Sequence, residues 1–234
     1  MPAVIQPRQL LGQPMGLTYI DWGKPVTEGL VSCVIPHLGI NLVDGKRVDK
    51  KGAGVSIGAE SVGKTARFST SALSALRHTD NPYALDTFTA IALIKPRVYP
   101  ADGASITTSS GEETTTTSAL FRIGSDGKLQ LVKPGSALIA TANTAISTTK
   151  FSVVGVSYAP NASSAFYVDG RLDKTFSSSI TFNHGAIAVI GGSFNSAGYG
   201  WDGDIACVLY FNRLLSNDTH AQIAANIYSC VKAD

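Results

Sequence analysis

At 234 residues, with 44% hydrophobic and 15% charged side chains, the chain is long and apolar enough to bury one all-β core, which argues against disorder. A net charge of +2 with no basic stripe argues against a nucleic-acid surface. No apolar run approaches the ~18 residues needed to cross a membrane. The first residues lack the basic start and apolar core of a secretory signal, so a cytoplasmic, soluble product is expected.

Residues 1–16 carry Pro2, Pro7 and Pro14 and follow no helical or strand period. They read as an extended arm before a domain spanning 17–234. The arm's Val4, Ile5, Leu10 and Leu11 suit docking, either on the domain itself or on a neighbouring subunit. Candidate strands follow at Leu17–Ile20 and Leu30–Ile35, then an Asp44-Gly45 turn and a strand from Lys64. SALSALRH is expected as a short helix or an irregular crossing. DTFTAIALIKPRV is a strong strand with Phe88, Ala90, Ala92 and Ile94 on one face. SALFRIGSDGKLQLV is a hairpin in which Phe121 and Ile123 face Leu129 and Leu131. The Ser- and Thr-rich stretch from Tyr99 to Ser118 is expected as a long exposed loop or a strand-loop-strand excursion at one end.

From Phe151 to Leu215 apolar and polar residues alternate between Asp-Gly and Gly-Gly turns, as in half-buried antiparallel strands. Ser216 is a helix N-cap candidate with Asp218 in the first turn. Ile223, Ile227 and Val231, with Ala224 and Tyr228 alongside, give a helical stripe.

Gly58-Ala-Glu-Ser-Val-Gly63-Lys64-Thr65 matches the G-x-x-x-x-G-K-[ST] phosphate loop literally. That loop needs a buried parallel strand before it and a helix after it. Here only Val55-Ser-Ile57 precedes it, and strands dominate downstream, so the match is read as accidental. For glycoside cleavage, two carboxylates must flank the bond. Asp202 and Asp204 in GWDGDIA are the one close acidic pair on a strand-like stretch, and are expected as solvated turn residues. His37, His78, His184 and His220 are scattered, and no G-x-S-x-G elbow supports a Ser-His-Asp triad. Cys33, Cys207 and Cys230 show no C-x-x-C spacing, so neither zinc nor a disulfide framework is expected. Aromatic candidates for sugar stacking are Tyr83, Tyr99, Tyr199 and Trp201. Tyr199 sits in the glycine-rich GGSFNSAGYGW and is expected to be the more exposed, whereas core packing is favoured over stacking at Trp201.

Several phrases occur in a familiar order. They are Gly63-Lys-Thr-Ala-Arg-Phe68, Tyr167-Val-Asp-Gly170, Ile190-Gly-Gly192 and Gly203-Asp-Ile205 running to Asn212-Arg-Leu-Leu-Ser216, with a closing helix. Over roughly residues 17–232 the chain resembles the concanavalin A-like, laminin G-type jelly-roll family. Trp22-Gly-Lys-Pro25 leading to Gly29-Leu30-Val31, and Asn41-Leu-Val-Asp-Gly45, are similar to the version carried by bacteriophages and prophages. The chain departs from that version at Ile227-Tyr228, where those proteins have Pro-Trp. It also carries Ala206 and Cys207 where many cellular relatives have an acidic pair.

The resemblance implies a two-sheet antiparallel β-sandwich of jelly-roll topology with an N-terminal arm and a short C-terminal helix. It implies no catalysis and a role as a virion structural subunit (decoration, fibre or spike), assembled in the host cytoplasm. Its partners would be other virion proteins and further copies of itself, with no nucleic acid or membrane. The alternative is a lectin-like protein that recognises host-surface glycan through Tyr199, Tyr99, Trp201 and the 99–118 loop. A glycan-cleaving enzyme and a nucleotide-binding protein rank below both. No cofactor is implied; calcium occurs in some relatives, and no residues here can be named for it.

Overall fold

A computed structural model describes residues 13–14, 17–69, 74–78, 80–109, 118–135, 137–192 and 200–233. Val4, Ile5, Leu10, Leu11 and Tyr199 lie outside them. In chain order the strands are β1 (Thr18–Ile20), β2 (Leu30–Val34), β3 (Val48–Lys51), β4 (Val55–Glu60), β5 (Gly63–Phe68), β6 (Ala75–His78), β7 (Phe88–Pro96), β8 (Ala104–Thr108) and β9 (Leu120–Ile123). They continue with β10 (Lys128–Lys133), β11 (Ala137–Ala145), β12 (Ser152–Tyr158), β13 (Ser163–Val168), β14 (Arg171–Ser177), β15 (Val189–Ile190) and β16 (Gly203–Phe211). Helix α1 (Asn217–Ala225) and β17 (Val231–Ala233) close the chain.

Among the described residues the first sheet runs β11-β10-β9-β8-β15-β6-β3 and the second β14-β13-β12-β7-β16-β5-β4, with β2 also on β16. The two sheets pack face to face as a jelly-roll sandwich. Their shared core holds Phe88, Ala90, Ala92 and Ile94 of β7, Phe121 and Ile123 of β9, and Leu129 and Leu131 of β10. The hairpin register pairs Phe121 with Leu131 and Ile123 with Leu129, as the turn chemistry required.

β7 and β16 are buried on both faces, which is unusual for an antiparallel sheet. Their alternate residues Ile91, Leu93, Cys207, Leu209 and Phe211 form a second core with Ile20, Val26, Ile35, Ile223, Ile227 and Tyr228. A cap layer of α1, the β1–β17 ribbon and the Pro25–Thr27 3-10 turn therefore covers part of the second sheet's outer face.

Helix α1 starts at Ser216, whose hydroxyl accepts from Thr219 N at 3.2 Å, with Asp218 in the first turn as expected. His220 pins the helix to the sheet. Its ring stacks on Tyr167 with centroids 3.5 Å apart, and its Nε2 lies 3.0 Å from Ser157 Oγ. Gly155 leaves the space, since a Cβ there would sit 3.1 Å from the imidazole. The helix ends at Ala225, so Val231, expected on its stripe, belongs to β17 and pairs with Ile20. Its burial in the same cap core explains why the sequence carried one apolar pattern across both elements.

One further expectation is corrected, and another is narrowed to the strand-containing one of its two forms. The described end of SALSALRH, Ala75–His78, forms strand β6, whose Ala75, Leu76 and His78 are buried against the sandwich. The Tyr99–Ser118 stretch contains a buried strand, β8, because β15 and β9 pair on either side of it. Tyr99 and Ser109 therefore lie beyond opposite ends of β8. Charged β3, which the sequence reading passed over, pairs with β6 along the first sheet's edge. No helix among the described residues is long and apolar enough to cross a membrane.

Candidate functional site

The phosphate-loop look-alike is an antiparallel hairpin in which Gly58 faces Thr65, Ala59 faces Lys64 and Glu60 faces Gly63. Strand β5 stands where such a loop needs its helix, and Thr65 Oγ1 is buried, donating to Asp204 Oδ1 at 3.0 Å. The Lys64 backbone is taken by Gln13, whose side chain accepts from Lys64 N at 2.5 Å and donates to Lys64 O at 2.7 Å. β16 explains this plug. It pairs with β5 only up to Ile205 and with β2 from Val208 onward, and the buried Gln13 amide satisfies the strand edge left between them. Gln13 is thus anchored on the sandwich.

The outer face of the second sheet beyond the cap carries an ionic network. Strand alternation sends Thr65 and Arg67 of β5, Lys95 of β7 and Asp204 of β16 to this side, while Ala66, Phe68, Ile94 and Ile205 enter the core. Arg67 Nε donates to Asp204 Oδ1 at 3.0 Å, and its Nη2 donates to Glu60 Oε1. Lys95 Nζ lies 2.7 Å from Glu60 Oε2 and 5.0 Å from the centre of the Phe151 ring. Next to this network, Arg97 Nε donates to Asp202 Oδ1 at 2.6 Å, and its Nη2 donates to Phe68 O. Gly203 permits the close approach of β16 to β7: its φ is +147°, and a Cβ would meet Lys95 O at 2.3 Å.

Three cations and three carboxylates therefore share one ledge with no excess charge. Asp204 is 1% exposed, so the expectation of two solvated turn aspartates is corrected: buried Asp204 is the anchor of the network and Asp202 pairs with Arg97. The side chains of Arg67 and Arg97 are 38% and 41% exposed, and the bonds named above use only part of the five N–H donors of each guanidinium. Chemically the ledge offers fixed donors and acceptors beside an aromatic ring. Lys95, followed by burial and then Arg67, sets the Glu60 carboxyl, and the balance holds it below the usual range. Glycoside cleavage needs a carboxyl held protonated as an acid, and Glu60 is the opposite case.

Among the aromatic candidates, Tyr99 is half-buried at the adjoining end, its hydroxyl donating to Ile146 O and its ring against Gly127. Trp201 is fully buried in the sandwich core and shows no ring face to a ligand. Tyr83 is likewise buried, stacked on Tyr210. Tyr99, two residues beyond Arg97 in the chain, thus turns its ring and hydroxyl to Gly127 and Ile146, and Tyr199 lies outside the described residues. No group of three or more His, Cys, Asp or Glu side chains suited to a metal occurs among the described residues. Cys33, Cys207 and Cys230 are all buried free thiols in the second core.

Sequence reading missed Glu60, Arg67 and Lys95 as a set. The available signal was polar residues at alternate positions in strands otherwise apolar, as in KTARF and IALIKP.

A family profile described as the concanavalin A-like lectin/glucanases superfamily matches residues 50–219. The chain belongs to this superfamily. None of the curated proteins compared with it matches in sequence. Among solved structures it is similar to domain 4 of AbnA, a GH43 extracellular arabinanase from Geobacillus stearothermophilus, in complex with arabinotriose. That pair has a TM-score of 0.68 at 13% identity, over 83% of this chain and 98% of that one. It is also similar to the binding domain of Paraclostridial Mosquitocidal Protein 1, with a TM-score of 0.65 at 14% identity over 85% of this chain and 52% of that one. A third is the Ruminococcus gnavus IT-sialidase CBM40 bound to alpha2,3 sialyllactose, with a TM-score of 0.56 at 14% identity over 75% and 98%. At these identities the superfamily jelly roll is what the chains share.

Proposed function

We propose that this superfamily member is a non-catalytic, lectin-like glycan-binding module whose contact surface is the Glu60–Arg67–Lys95 ledge with the adjoining Arg97–Asp202 pair. The observation that carries the reading is the ledge itself: interlocked side chains with spare guanidinium N–H groups on the uncapped part of the sheet. Such groups are held in place before a ligand arrives, which lowers the ordering cost of binding. Zero net charge fits the hydroxyls of a neutral saccharide better than a phosphate. Arabinotriose in the AbnA domain and sialyllactose in the CBM40 domain support sugar as the ligand class.

The virion-subunit reading, with its arm, its copies and its cytoplasmic assembly, keeps the resemblance that prompted it and gains nothing from the ledge. The same is true of calcium. The deciding experiment is a glycan array on the purified chain, repeated with Arg97→Ala and Arg67→Gln. Retention of a neutral oligosaccharide, weakened about tenfold or more in the variants without a change in melting temperature for Arg97→Ala, is expected. No retained glycan, or retention indifferent to both changes, would overturn the assignment.

A further inference from the structure

The sandwich must protect its open sheet edges, because an unpaired strand offers a row of N–H and C=O groups to any other chain. β11 and β14 are laced to one another. Asp173 accepts from Asn143 N at 2.6 Å, and Lys174 donates to Thr141 O at 2.7 Å. β14 is further marked by Arg171 and a register shift against β13. β3 is four residues long with Asp49, Lys50 and Lys51. β2 is covered by the following segment, where Leu42 N donates to Cys33 O and Asn41 Oδ1 accepts from Cys33 N.

Among the described residues β4 has none of these devices. Six residues, Val55–Glu60, pair with β5 in unbroken register and end the second sheet. Its one charge, Glu60, is turned onto the ledge.

The direction of the free groups follows from Gln13. Lys64 N and O bond to Gln13 on the side of β5 away from β4, so the Ala59–Lys64 pair is not hydrogen-bonded across the hairpin. By alternation, Val55, Ile57 and Ala59 aim their N–H and C=O groups at the open edge. Their side chains share the inner-facing side, opposite Phe68, Ala66 and Lys64. Ile57 is nevertheless 37% exposed.

We propose that β4 is a self-pairing edge that takes β4 of a second copy of this chain, antiparallel, about a two-fold axis at Ile57. In that register Ile57 faces Ile57 and Val55 faces Ala59, so every outward N–H meets an outward C=O and the faces of both sheets are kept. The pattern is complementary to itself, which is what an isologous contact needs. Two exposed isoleucines cover one another. The joined sheets carry the two ionic ledges side by side on one continuous face, a divalent arrangement under the glycan-binding reading. A contact between two short strands is smaller than a standard interface, so the dimer is weak and depends on concentration.

Sedimentation equilibrium of the full chain over a wide concentration range tests this. A monomer–dimer equilibrium is expected for the wild type. Ile57→Pro removes the central outward N–H, and Ile57→Lys sets two ammonium groups together. Each should weaken association at least tenfold while leaving the melting temperature of the monomer near that of the wild type. A wild-type chain that stays monomeric at every concentration would overturn the proposal, as would a dimer that survives both variants. A dimer lost on deleting residues 2–12 but kept in the Ile57 variants would assign association to the arm, and overturn it too.

Discussion

The outer face of the second sheet is built in two ways. Where β16 runs beside β2, Cys207, Leu209 and Phe211 lie under the cap of α1, Ile20 and Val26. Where β16 runs beside β5, Asp204 meets Arg67 and the surface stays open. One strand thus changes from an ion-pair anchor to an apolar core within a few residues, at the register shift between Ile205 and Cys207. The capped part owes its stability to burial and the open part spends little on it, which is the division expected between scaffold and contact surface.

The sharpest break in that comparison is Phe211→Ala. Its ring is fully buried in the cap core, and its loss should lower unfolding free energy by about 3–5 kcal/mol. Urea denaturation would measure it, and a cost near that of a surface change would show that the cap is not a true core.

Acid should loosen the capped part next. Burial pushes the His220 pKa from 6.5 down to about 3. Below about pH 6.5 the unfolded chain therefore binds a proton that the folded chain refuses until about pH 3, and stability falls as pH falls through that window. The slope is about 1.4 kcal/mol per pH unit for this one group. His78, pushed down to about 4 inside the sandwich, adds a similar slope over a shorter range. His220→Gln should flatten the melting-temperature profile between pH 6.5 and 5, and an unchanged profile would remove His220 from the account.

On the open part, Asp204→Asn tests the anchor. It keeps the shape but removes the charge that accepts from Arg67 and Thr65, and should cost about 1–3 kcal/mol. Denaturation of the variant beside the wild type would read this, and a neutral result would make the network dispensable to folding.

How much of this was legible in the sequence differs between the two parts. Strands β7, β9, β10 and β12–β14 follow from alternation and Asp-Gly turns, and Ser216 marked the start of α1. The double burial of β7 was harder to read. Ile91 and Leu93 alternate with Ala92 and Ile94, and an apolar run does not say whether its second face meets a cap or water. The ledge was hidden for another reason. Glu60 and Asp204 are 144 residues apart in the chain, from the difference of their numbers, and only the order of strands in the sheet joins them through Arg67. Trp201 could be read two ways because an aromatic residue in a glycine-rich phrase suits a core and a sugar platform alike, and burial decides for the core, the role its place in the phrase favoured.

The smallest expected effect on stability is the most useful for function. Arg97 and Asp202 form a pair at the surface, with Arg97 41% exposed, so Arg97→Ala should cost under about 1 kcal/mol. Its guanidinium is nonetheless fixed by Asp202 and by Phe68 O, facing the open ledge. If that surface binds glycan, the variant should lose affinity about tenfold while its denaturation midpoint barely moves. A capped-part change such as Phe211→Ala should do the reverse when tested well below its melting temperature, losing stability and keeping affinity. Equal loss of both properties in both variants would mean that the two parts of the face are not separable, and the division between scaffold and contact surface would fail.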